Sequence, residues 1–449
     1  MEHSRKDFLK ASAATGLLTL ANPGRVFGAN DRIRLAVCGI RKRGWDHVRL
    51  FSKLPNVEVA AICEVDENVI AGRLRDMEKL QLPKPAVHID VRKLLEDKSI
   101  DAVSIATPHT WHALIAVWAC QAGKDVYVEK PCSHNWWEGK QLVRAAEKYK
   151  RVVQHGTQGR SRQSGIDAIN HLHSGVIGEL YMARGLCYKR RPSLGHTPPE
   201  PTPAGVHYDL WTGPAPLRPF TKNSFHYNWH WFWDYGNGDL GNQGIHQVDM
   251  ARNALQVKFP NKVSAMGAHV VHDDDQETPN LLNCNFQYDL PNGKRKIIEF
   301  GVRNWITNRE AEIGTEFMYS HGQGDNSIGN IFYGSNGYMA LGDEDVLNGY
   351  RTYVGPDMKP GPTGHEGGDH FANFIDVVRS RKMEDLHAPI IEGHISCTLV
   401  HLANASYRLG RTLNFDPETE QVIGDEEANR LLRDADRGYR KPYLFPEKV

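Results

Sequence analysis

The hydrophobic pattern of the first 155 residues alternates short apolar runs with longer amphipathic segments. The apolar runs are rich in β-branched residues and read "IRLAVCGI", "VEVAAICEV", "DAVSIATP", "DVYVEKP" and "VVQHG". Segments with helical periodicity lie between them, over residues 45 to 53, 67 to 80, 112 to 122 and 136 to 149. Strands that alternate with crossover helices predict a parallel sheet covered by helices on both faces.

Beyond about residue 155 the pattern changes to longer strands with little helix between them. These strands are "LYMARGLCYK", "KVSAMGAHVV", "NLLNCNFQYDL", "KRKIIEFGV" and "GTEFMYS". Such a series is typical of an open, mostly antiparallel sheet. Two amphipathic helices, in "GDHFANFIDVVRSRK" and "GHISCTLVHLANASYRLGR", are predicted to close the fold.

The predicted fold class is therefore α/β plus α+β. A doubly wound parallel sheet forms the first domain, over residues 31 to 155, and an open antiparallel sheet forms the second, over residues 156 to 424. Residues 425 to 449 are rich in charge and are predicted to be an arm that packs on a neighbouring subunit or on the surface. A length of 449 residues suits two domains.

Residues 1 to 30 have the composition of a targeting segment. The charged "SRKDFLK" precedes the weakly apolar "ASAATGLLTLA" and the small-residue segment "VFGAN". This order resembles a twin-arginine export signal in which Lys6 replaces the second arginine after Arg5. It predicts a periplasmic or otherwise exported protein, whereas a disordered or helical extension in its place would leave the protein in the cytoplasm.

Composition narrows the classes of partner. The 54 basic residues balance the 54 acidic ones, so no nucleic-acid partner is predicted, and after signal removal no apolar run is long enough for membrane insertion. The seven cysteines form no C-x-x-C pair and are interpreted mostly as buried small hydrophobic residues. His226 and His230 lie on an alternating segment without a carboxylate cluster, so no metal is predicted.

The stretch "RLAVCGIRKRGWDH", residues 34 to 47, matches part of a dinucleotide-binding turn. Gly39 and Gly44 fit the first and third glycines of G-x-G-x-x-G, and Arg41 takes the middle place. Glu64 follows Gly44 by twenty residues, where a carboxylate can accept hydrogen bonds from the adenosine ribose. A surface acid at a strand end is the alternative interpretation of Glu64.

The cations at positions 41 to 43 leave two interpretations open. They are either a solvated charge run or contacts to the pyrophosphate that partly replace backbone donors. They would also accept a 2′-phosphate, but Glu64 would repel one. The cofactor predicted is therefore NAD rather than NADP.

Two further segments identify a family resemblance. "ATPHTWH", residues 106 to 112, and "VYVEKP", residues 126 to 131, resemble the T-P-x-x-x-H and E-K-P signatures of the Gfo/Idh/MocA oxidoreductases, named after glucose-fructose oxidoreductase and inositol dehydrogenase. The resemblance runs from about residue 32 to 411 and includes exported bacterial members. It implies a Rossmann domain with cofactor contacts from Gly39, Ile40, Arg41, Arg43, Gly44, Glu64, Thr107, Pro108, His112, Glu129 and Lys130.

The resemblance also implies the chemistry. In the family a substrate carbinol loses hydride to the nicotinamide while a nearby base takes its hydroxyl proton. Lys130 matches the lysine expected to touch the reacting hydroxyl, although a lysine at a strand end could be only a surface charge. Pro131 resembles the family's frequently cis proline.

The segment "GNGDLGNQGIHQVD" resembles the family's D-x-x-x-H motif. Asn242, His246 and Asp249 are spaced i, i+4, i+7 and would share one face of a helix that starts near Asp239. Asn242 stands where the aspartate is usual and carries no charge. Asp239 or Asp249 could supply that charge, although Asp239 also suits a helix N-cap. His246 is assigned as the general base and Lys130 as the positioning donor, with the reverse kept open.

Aromatic residues are candidates for the substrate site. Trp229, Trp231 and Trp233 alternate and would share one face of an extended segment, either lining a sugar site or packing in the core. The proline-rich segment 192 to 205 and "HYDLWTGPAP" are predicted to form a long loop over the site. The predicted substrate-binding residues are Tyr188, Tyr208, Trp211, Trp233 and Asp249.

The predicted function is an NAD-dependent oxidoreductase that acts on a ring secondary alcohol of a sugar, sugar derivative or glycoside. Export implies a tightly bound cofactor, because free NAD is scarce outside the cytoplasm. One alternative is an NAD-dependent glycosidase that works by transient oxidation at C3 and elimination. Another is a non-catalytic ligand-binding relative, suggested by Asn242. The family's use of the open sheet implies a homo-oligomer, a dimer or a tetramer.

Overall fold

The computed structural model describes residues 32–305, 307–311, 313, 326–342, 349–364, 367–434, 437–446 and 448–449. The export signal expected in residues 1 to 30 and the strand expected in "GTEFMYS" lie outside these residues. Among the described helices, none has both the length and the hydrophobicity that a membrane span requires.

The first sheet contains six parallel strands in the order β3-β2-β1-β4-β5-β6. The strands are β1 (Ile33–Cys38), β2 (Val57–Cys63), β3 (Ala86–His88), β4 (Ala102–Ile105), β5 (Asp125–Val128) and β6 (Val153–His155). The helices between them are α1 (Arg43–Phe51), α2 (Glu67–Lys79), α3 (Val91–Leu95), α4 (His109–Gln121) and α5 (Trp136–Tyr149). This is the doubly wound parallel sheet that the sequence predicts.

Burial explains why the central strands read as continuous apolar runs. Every residue of β4 and β5 is buried, because helices cover both faces of the sheet. The helix α4 is also buried almost all round, which matches the apolar residues on all sides of its central turns, from Ala113 to Cys120. The sheet therefore presents the carboxyl ends of its strands as the accessible edge for a ligand.

The second sheet contains ten strands in the order β14-β13-β12-β11-β7-β10-β9-β8-β15-β16. Neighbouring strands are antiparallel except for β7 and β10, which are parallel. The strands are β7 (Leu180–Tyr188), β8 (Lys262–Ala268), β9 (Leu281–Asp289), β10 (Arg295–Arg303), β11 (Ser327–Gly334), β12 (Gly337–Gly342), β13 (Tyr350–Val354), β14 (Lys359–Gly364), β15 (Leu413–Asp416) and β16 (Gln421–Val422). The prediction of a mostly antiparallel sheet is confirmed, but β11 to β16 were not anticipated.

Six further helices complete the described fold. They are α6 (Gln163–His173), α7 (Tyr208–Thr212), α8 (Ile245–Leu255), α9 (His370–Ser380), α10 (Ile390–Leu409) and α11 (Glu426–Leu431). The helix α9 returns to the nucleotide domain, where Phe371 stacks on Tyr127 with ring centroids 4.9 Å apart. The helix α10 packs against both α5 and β8 and so joins the two sheets.

One local prediction between β7 and β8 is wrong, and another is correct only for the place where a helix starts. Residues Asn228–Trp231 form a 3₁₀ helix rather than an extended segment, so the three tryptophans do not share one face. The helix expected to start near Asp239 begins as a π-helical turn, Leu240–Gly244, before α8. The Asp239 side chain does not cap this helix and instead forms an ion pair with Arg191, 2.8 Å away.

The C-terminal arm packs on its own chain in the described residues. Tyr443 donates its hydroxyl to Asp209 at 2.6 Å, and its ring lies 5.3 Å from that of Trp111. Arg440 also donates to the carbonyl of Asp209, at 2.8 Å. The arm therefore holds α7 against the nucleotide domain.

The pH dependence of unfolding tests the packing of α9 against the nucleotide domain, because His370 at the start of this helix is buried there. Burial lowers its pKa to about 3, and its neutral ring donates from Nε2 to the carbonyl of His155 at 2.9 Å. The unfolded chain binds this proton near pH 6.5, so the stabilisation is complete above pH 6.5 and is lost as the pH falls toward 3. In urea unfolding between pH 6.5 and 4.5, His370→Gln should reduce the slope of unfolding free energy against pH by up to about 1.4 kcal/mol per pH unit. An unchanged slope would show that His370 titrates normally.

Candidate active site

A deep crevice with a volume of about 330 Å³ lies at the carboxyl ends of the strands in the first sheet. It extends from the turn after β1, past the ends of β2 and β4, to the turn after β5. Residues from the second domain, including Asn242 and the segment that precedes it, form the opposite wall. Open α/β sheets bind their ligands at this edge.

The glycine turn after β1 has the geometry that the sequence predicts. Gly39 has a φ of +73°, and a Cβ there would lie 2.8 Å from the Ala106 carbonyl oxygen. A Cβ on Gly44 would lie 1.6 Å from the Gly39 carbonyl oxygen. Both glycines therefore permit a turn and a helix start that no side chain would fit.

Glu64 faces this turn from the end of β2. Its carboxylate accepts hydrogen bonds from the backbone of Ile40 at 3.0 Å and of Val65 at 2.8 Å. Burial raises the pKa of Glu64, while these hydrogen bonds oppose that shift. Glu64 thus fixes the glycine turn and still lines the crevice.

The three cations after Gly39 have different surroundings. Arg43 forms an ion pair with Glu129, in which the arginine Nε lies 2.7 Å from the glutamate Oε1. Lys42 lies over the Tyr227 ring at 5.0 Å, and the Arg41 side chain lines the crevice. Arg41 and Lys42 therefore have the positions from which a phosphate could be reached.

His112 connects the two signature segments. Its ring nitrogens lie 2.8 Å from the Thr107 carbonyl oxygen and 2.6 Å from the Pro131 carbonyl oxygen. The peptide bond between Lys130 and Pro131 is cis. Contacts on both sides of one ring fix the turn that carries Lys130.

Lys130 lies where the two domains meet. Its ammonium group donates to the Asn242 carbonyl and lies 3.4 Å from the Asn242 Oδ1 atom. The side chain is partly accessible from the crevice, while protein atoms enclose the ammonium group. This burial lowers the pKa of Lys130 to about 8; Glu129 opposes the shift, and Lys189 adds to it. A substantial fraction of the amine is therefore neutral in mildly alkaline solution.

Asp239 supplies a negative charge near Lys130. It is buried, and its ion pair with Arg191 helps to lower its pKa to about 2 despite burial. The Asn242 side chain donates to it at 3.4 Å. Asp239 thus supplies part of the negative charge that an aspartate at position 242 would have carried.

His246 and Asp249 do not line the crevice. Both line a separate cavity of about 30 Å³, with Thr157 and Arg162 among its walls. Asp249 is committed to Arg160, with oxygen-to-nitrogen distances of 2.7 and 2.9 Å. The π-helical turn explains this separation, since its wider turn changes the angle between Asn242 and the residues after it.

The predicted cofactor residues mostly line the crevice. The two exceptions are Ile40, which lies in the glycine turn, and Gly44, which lies at the start of α1. The residues that line the crevice are Gly39, Arg41, Arg43, Glu64, Thr107, Pro108, His112, Glu129 and Lys130.

Of the predicted substrate-binding residues, only Trp211 lines the crevice. Tyr208 stacks behind it, with ring centroids 5.5 Å apart. Tyr188 lies under Arg303, 4.0 Å from the guanidinium carbon, and Trp233 lies under Arg408 at 5.1 Å. Tyr188 and Trp233 therefore pack elsewhere in the second domain.

His109, Tyr227 and His230, which were not predicted as site residues, are among those that line the same crevice, and Trp229, predicted either to line a sugar site or to pack in the core, lines it as well. His230 donates from Nδ1 to the Tyr227 carbonyl at 2.5 Å, which leaves its Nε2 as an acceptor. Burial lowers the pKa of His230 to about 3. The density of aromatic and histidine residues in "FHYNWHW" was the available signal, but it did not show which side chains point inward.

Residues 192 to 235, which we call the strap, cover the crevice from the second domain. His226 donates to Asp66 at 2.7 Å, and the backbone of His207 donates to the Val65 carbonyl at 2.8 Å. Trp111 donates its indole hydrogen to the Leu210 carbonyl at 3.1 Å. The strap is thus bound to the nucleotide domain on both sides of the crevice.

The residues present fit a nicotinamide dinucleotide. The crevice follows the strand ends, the glycine turn leads into the N-terminus of α1, and that helix end favours phosphate. The Thr107 hydroxyl is buried in the crevice wall and has no hydrogen-bond partner in the described part of the chain. A polar ligand in the crevice would satisfy it.

The fold and the crevice together define a dinucleotide-binding oxidoreductase. Residues 33–157 match the family described as "Oxidoreductase family, NAD-binding Rossmann fold". Residues 186–298 and 335–442 match "Oxidoreductase family, C-terminal alpha/beta domain". The chain therefore belongs to the Gfo/Idh/MocA oxidoreductase family.

Relatives of known name match part of the chain. A "Glycosyl hydrolase family 109 protein" of Shewanella baltica is 31% identical over 204 residues, which are 39% of this chain and 44% of that protein. A "Glycosyl hydrolase family 109 protein 1" of a Shewanella species is 34% identical over 157 residues, 33% of this chain and 34% of that protein. The matched segments span less than half the length of these relatives.

Solved structures share the fold along most of the chain. Aldose-aldose oxidoreductase from Caulobacter crescentus, complexed with glycerol, has a TM-score of 0.62 at 15% identity and covers 86% of this chain and 100% of that one. Levoglucosan dehydrogenase, complexed with NADH and levoglucosan, has a TM-score of 0.61 at 16% identity, with coverage of 85% and 99%.

Removing the hydrogen bond between His226 and Asp66 should weaken the attachment of the strap to the nucleotide domain. Both side chains are mostly buried, and a hydrogen bond to a carboxylate contributes about 1.5–3 kcal/mol. His226→Ala should raise the dissociation rate of NADH about tenfold, measured by the loss of nucleotide fluorescence on dilution. It leaves Asp66 in place as the N-cap of α2.

His207→Ala is the matched control for this experiment. It removes another histidine-carboxylate contact of the strap, 2.8 Å from Glu67, but both partners are largely exposed. Such surface pairs contribute about 0–1 kcal/mol, so the release rate should change little. Equal release rates in the His226 variant and the unaltered protein would show that this contact does not hold the strap.

Proposed function

We propose that this protein is an NAD-dependent oxidoreductase that oxidises a ring secondary alcohol of a sugar, sugar derivative or glycoside. The observation that carries the proposal is the enclosed amine of Lys130, with a pKa of about 8, in the crevice beneath the strap. The family assignment supports the reaction class. The sugar-acting enzymes among the proteins of the same fold support the substrate class.

Lys130 is the proposed proton acceptor. A bound nicotinamide would supply the acceptor for the hydride of the carbinol carbon, and the hydroxyl proton would need a base in the protein. An amine with a pKa of about 8 is neutral often enough to take that proton and basic enough to hold it. The Asn242 amide oxygen, 3.4 Å from the amine, would orient the hydroxyl.

NAD rather than NADP is proposed because of Glu64. Its carboxylate lines the crevice at the end of β2, where the adenosine ribose of such folds lies. A 2′-phosphate placed there would meet a buried acid. Arg41 is then available for the pyrophosphate.

A redox-neutral glycosidase is the second candidate. It is supported by the partial similarity to proteins named glycosyl hydrolase family 109 and by the strap, which suits a cofactor that stays bound through the cycle. Oxidation at C3 would acidify the C2 proton, loss of that proton would expel the aglycone from C1, water would add across the resulting C1–C2 double bond, and the hydride would then return to C3. A retained cofactor would also suit the export that we propose from residues 1 to 30.

Product analysis separates these candidates. The natively purified protein should be incubated with aryl glycosides and free sugars without added NAD. Formation of a keto-sugar supports the dehydrogenase, whereas aglycone release without accumulated NADH supports the glycosidase. No nucleotide released on denaturation, combined with no sugar-dependent reduction of added NAD and no aglycone release, would contradict both and support a non-catalytic ligand-binding protein.

Lys130→Met tests the proton acceptor. The variant keeps the length of the side chain but removes the amine, so turnover should fall by at least about 100-fold while the nucleotide stays bound. His246→Ala should cost less, because His246 lies outside the crevice lining. Full activity of Lys130→Met, or an equal loss in His246→Ala, would return the role of base to His246.

A further inference from the structure

Two cysteines and a histidine meet in the interior beside the turn that carries Lys130. Cys132 follows that turn, His155 ends β6, and Cys397 lies in α10. Among the described residues, this is the one group of three histidine, cysteine or acidic side chains whose ligand atoms all lie within 4.8 Å of one another. All three are fully buried.

The sulfur atoms have the separation of a metal site. The Sγ atoms of Cys132 and Cys397 lie 3.6 Å apart. Two thiolates on a tetrahedral zinc ion, each about 2.3 Å from it, lie about 3.8 Å apart. A disulfide would bring them to about 2.05 Å. The two cysteines are free thiols in the structure, at a distance that a zinc ion could bridge with little movement.

His155 provides an independent sign of a missing ligand. Its Nε2 is buried and has no hydrogen-bond partner among the described residues. Its Nδ1 lies 3.4 Å from the Thr157 hydroxyl. A histidine that binds a metal through one nitrogen commonly gives its other N–H to a neighbouring oxygen, and His155 has that arrangement.

Close packing of α10 brings the three residues together. A Cβ on Gly393 would lie 2.7 Å from Cγ of His155, so only glycine lets the helix approach the end of β6 this closely. Cys397 lies one helical turn after Gly393 and so reaches the same place. Cys132 follows Pro131 directly, and its sulfur atom lies against that of Cys397.

We propose that Cys132, His155 and Cys397 bind a zinc ion. Two thiols and one zinc ion would give two thiolates, one bound zinc ion and two released protons. The charge of two thiolates cancels that of zinc, so the buried assembly is neutral. A water molecule would complete the tetrahedron. The sequence analysis predicted no metal, and this site does not depend on the proposed function.

The test uses the full-length protein purified without a metal-affinity step. Elemental mass spectrometry should find about one zinc ion per chain after growth with added zinc. After chelation, Co(II) should bind with the intense near-ultraviolet absorption of thiolate-to-cobalt charge transfer. Zinc added to the chelated protein should raise its melting temperature and release about two protons per chain.

Variants assign the ligands. Cys132→Ser and Cys397→Ser should each lose the cobalt absorption and the zinc-induced rise in melting temperature. Cys284→Ser is the matched control, because Cys284 is equally buried but lies in β9, outside the three-residue group. It should keep both signals. Circular dichroism and a cooperative thermal unfolding transition would show that each variant is folded.

Three outcomes would overturn the proposal. The first is a protein that takes up less than about a tenth of an equivalent of zinc and shows no thiolate-to-cobalt absorption. The second is copper in place of zinc in the purified protein. The third is a disulfide between Cys132 and Cys397, which mass spectrometry of the denatured, alkylated protein would reveal without any variant.

Discussion

The contact between the Lys130 ammonium group and Asn242 is the interaction on which the rest of the site depends. It joins the carboxyl end of β5 in the first domain to the π-helical turn of the second. Because both partners are enclosed, the amine has a lowered pKa and a fixed position. Neither domain alone supplies this arrangement, since the lysine follows β5 in the first domain and the asparagine lies in the π-helical turn of the second.

The surrounding structure holds that contact in place from several directions. His112 links the Lys130 turn, at the Pro131 carbonyl, to the segment after β4, at the Thr107 carbonyl, and Glu129 is fixed by Arg43 at the start of α1. The strap then covers the crevice and is tied to the nucleotide domain through Asp66. One crevice, covered by the strap, thus contains both the proposed base, Lys130, and the proposed cofactor site. The C-terminal arm adds a second tie through Asp209.

The sequence was informative where the signal is local. Strands β1, β2, β4 and β5 follow from their apolar runs, and the glycine turn and Lys130 follow from short motifs with a fixed geometry. The π-helical turn before α8 could not be predicted, because Asn242 and His246 keep an ordinary helical spacing in the sequence. The same holds for the strap, where His226 meets Asp66 across 160 positions. Such tertiary contacts produce no periodic pattern in the amino-acid sequence.

The pH dependence of cofactor reduction shows whether Lys130 accepts the proton. Reduction of bound NAD should be followed by stopped-flow absorbance under single turnover, in the unaltered protein and in Asn242→Asp. If Lys130 is the proton acceptor, reduction has an apparent pKa near 8 in the unaltered protein. The apparent pKa should also increase by about one unit in the variant, because a carboxylate 3–4 Å from the amine favours its charged form. The same apparent pKa in both proteins would contradict the assignment of Lys130 as the proton acceptor.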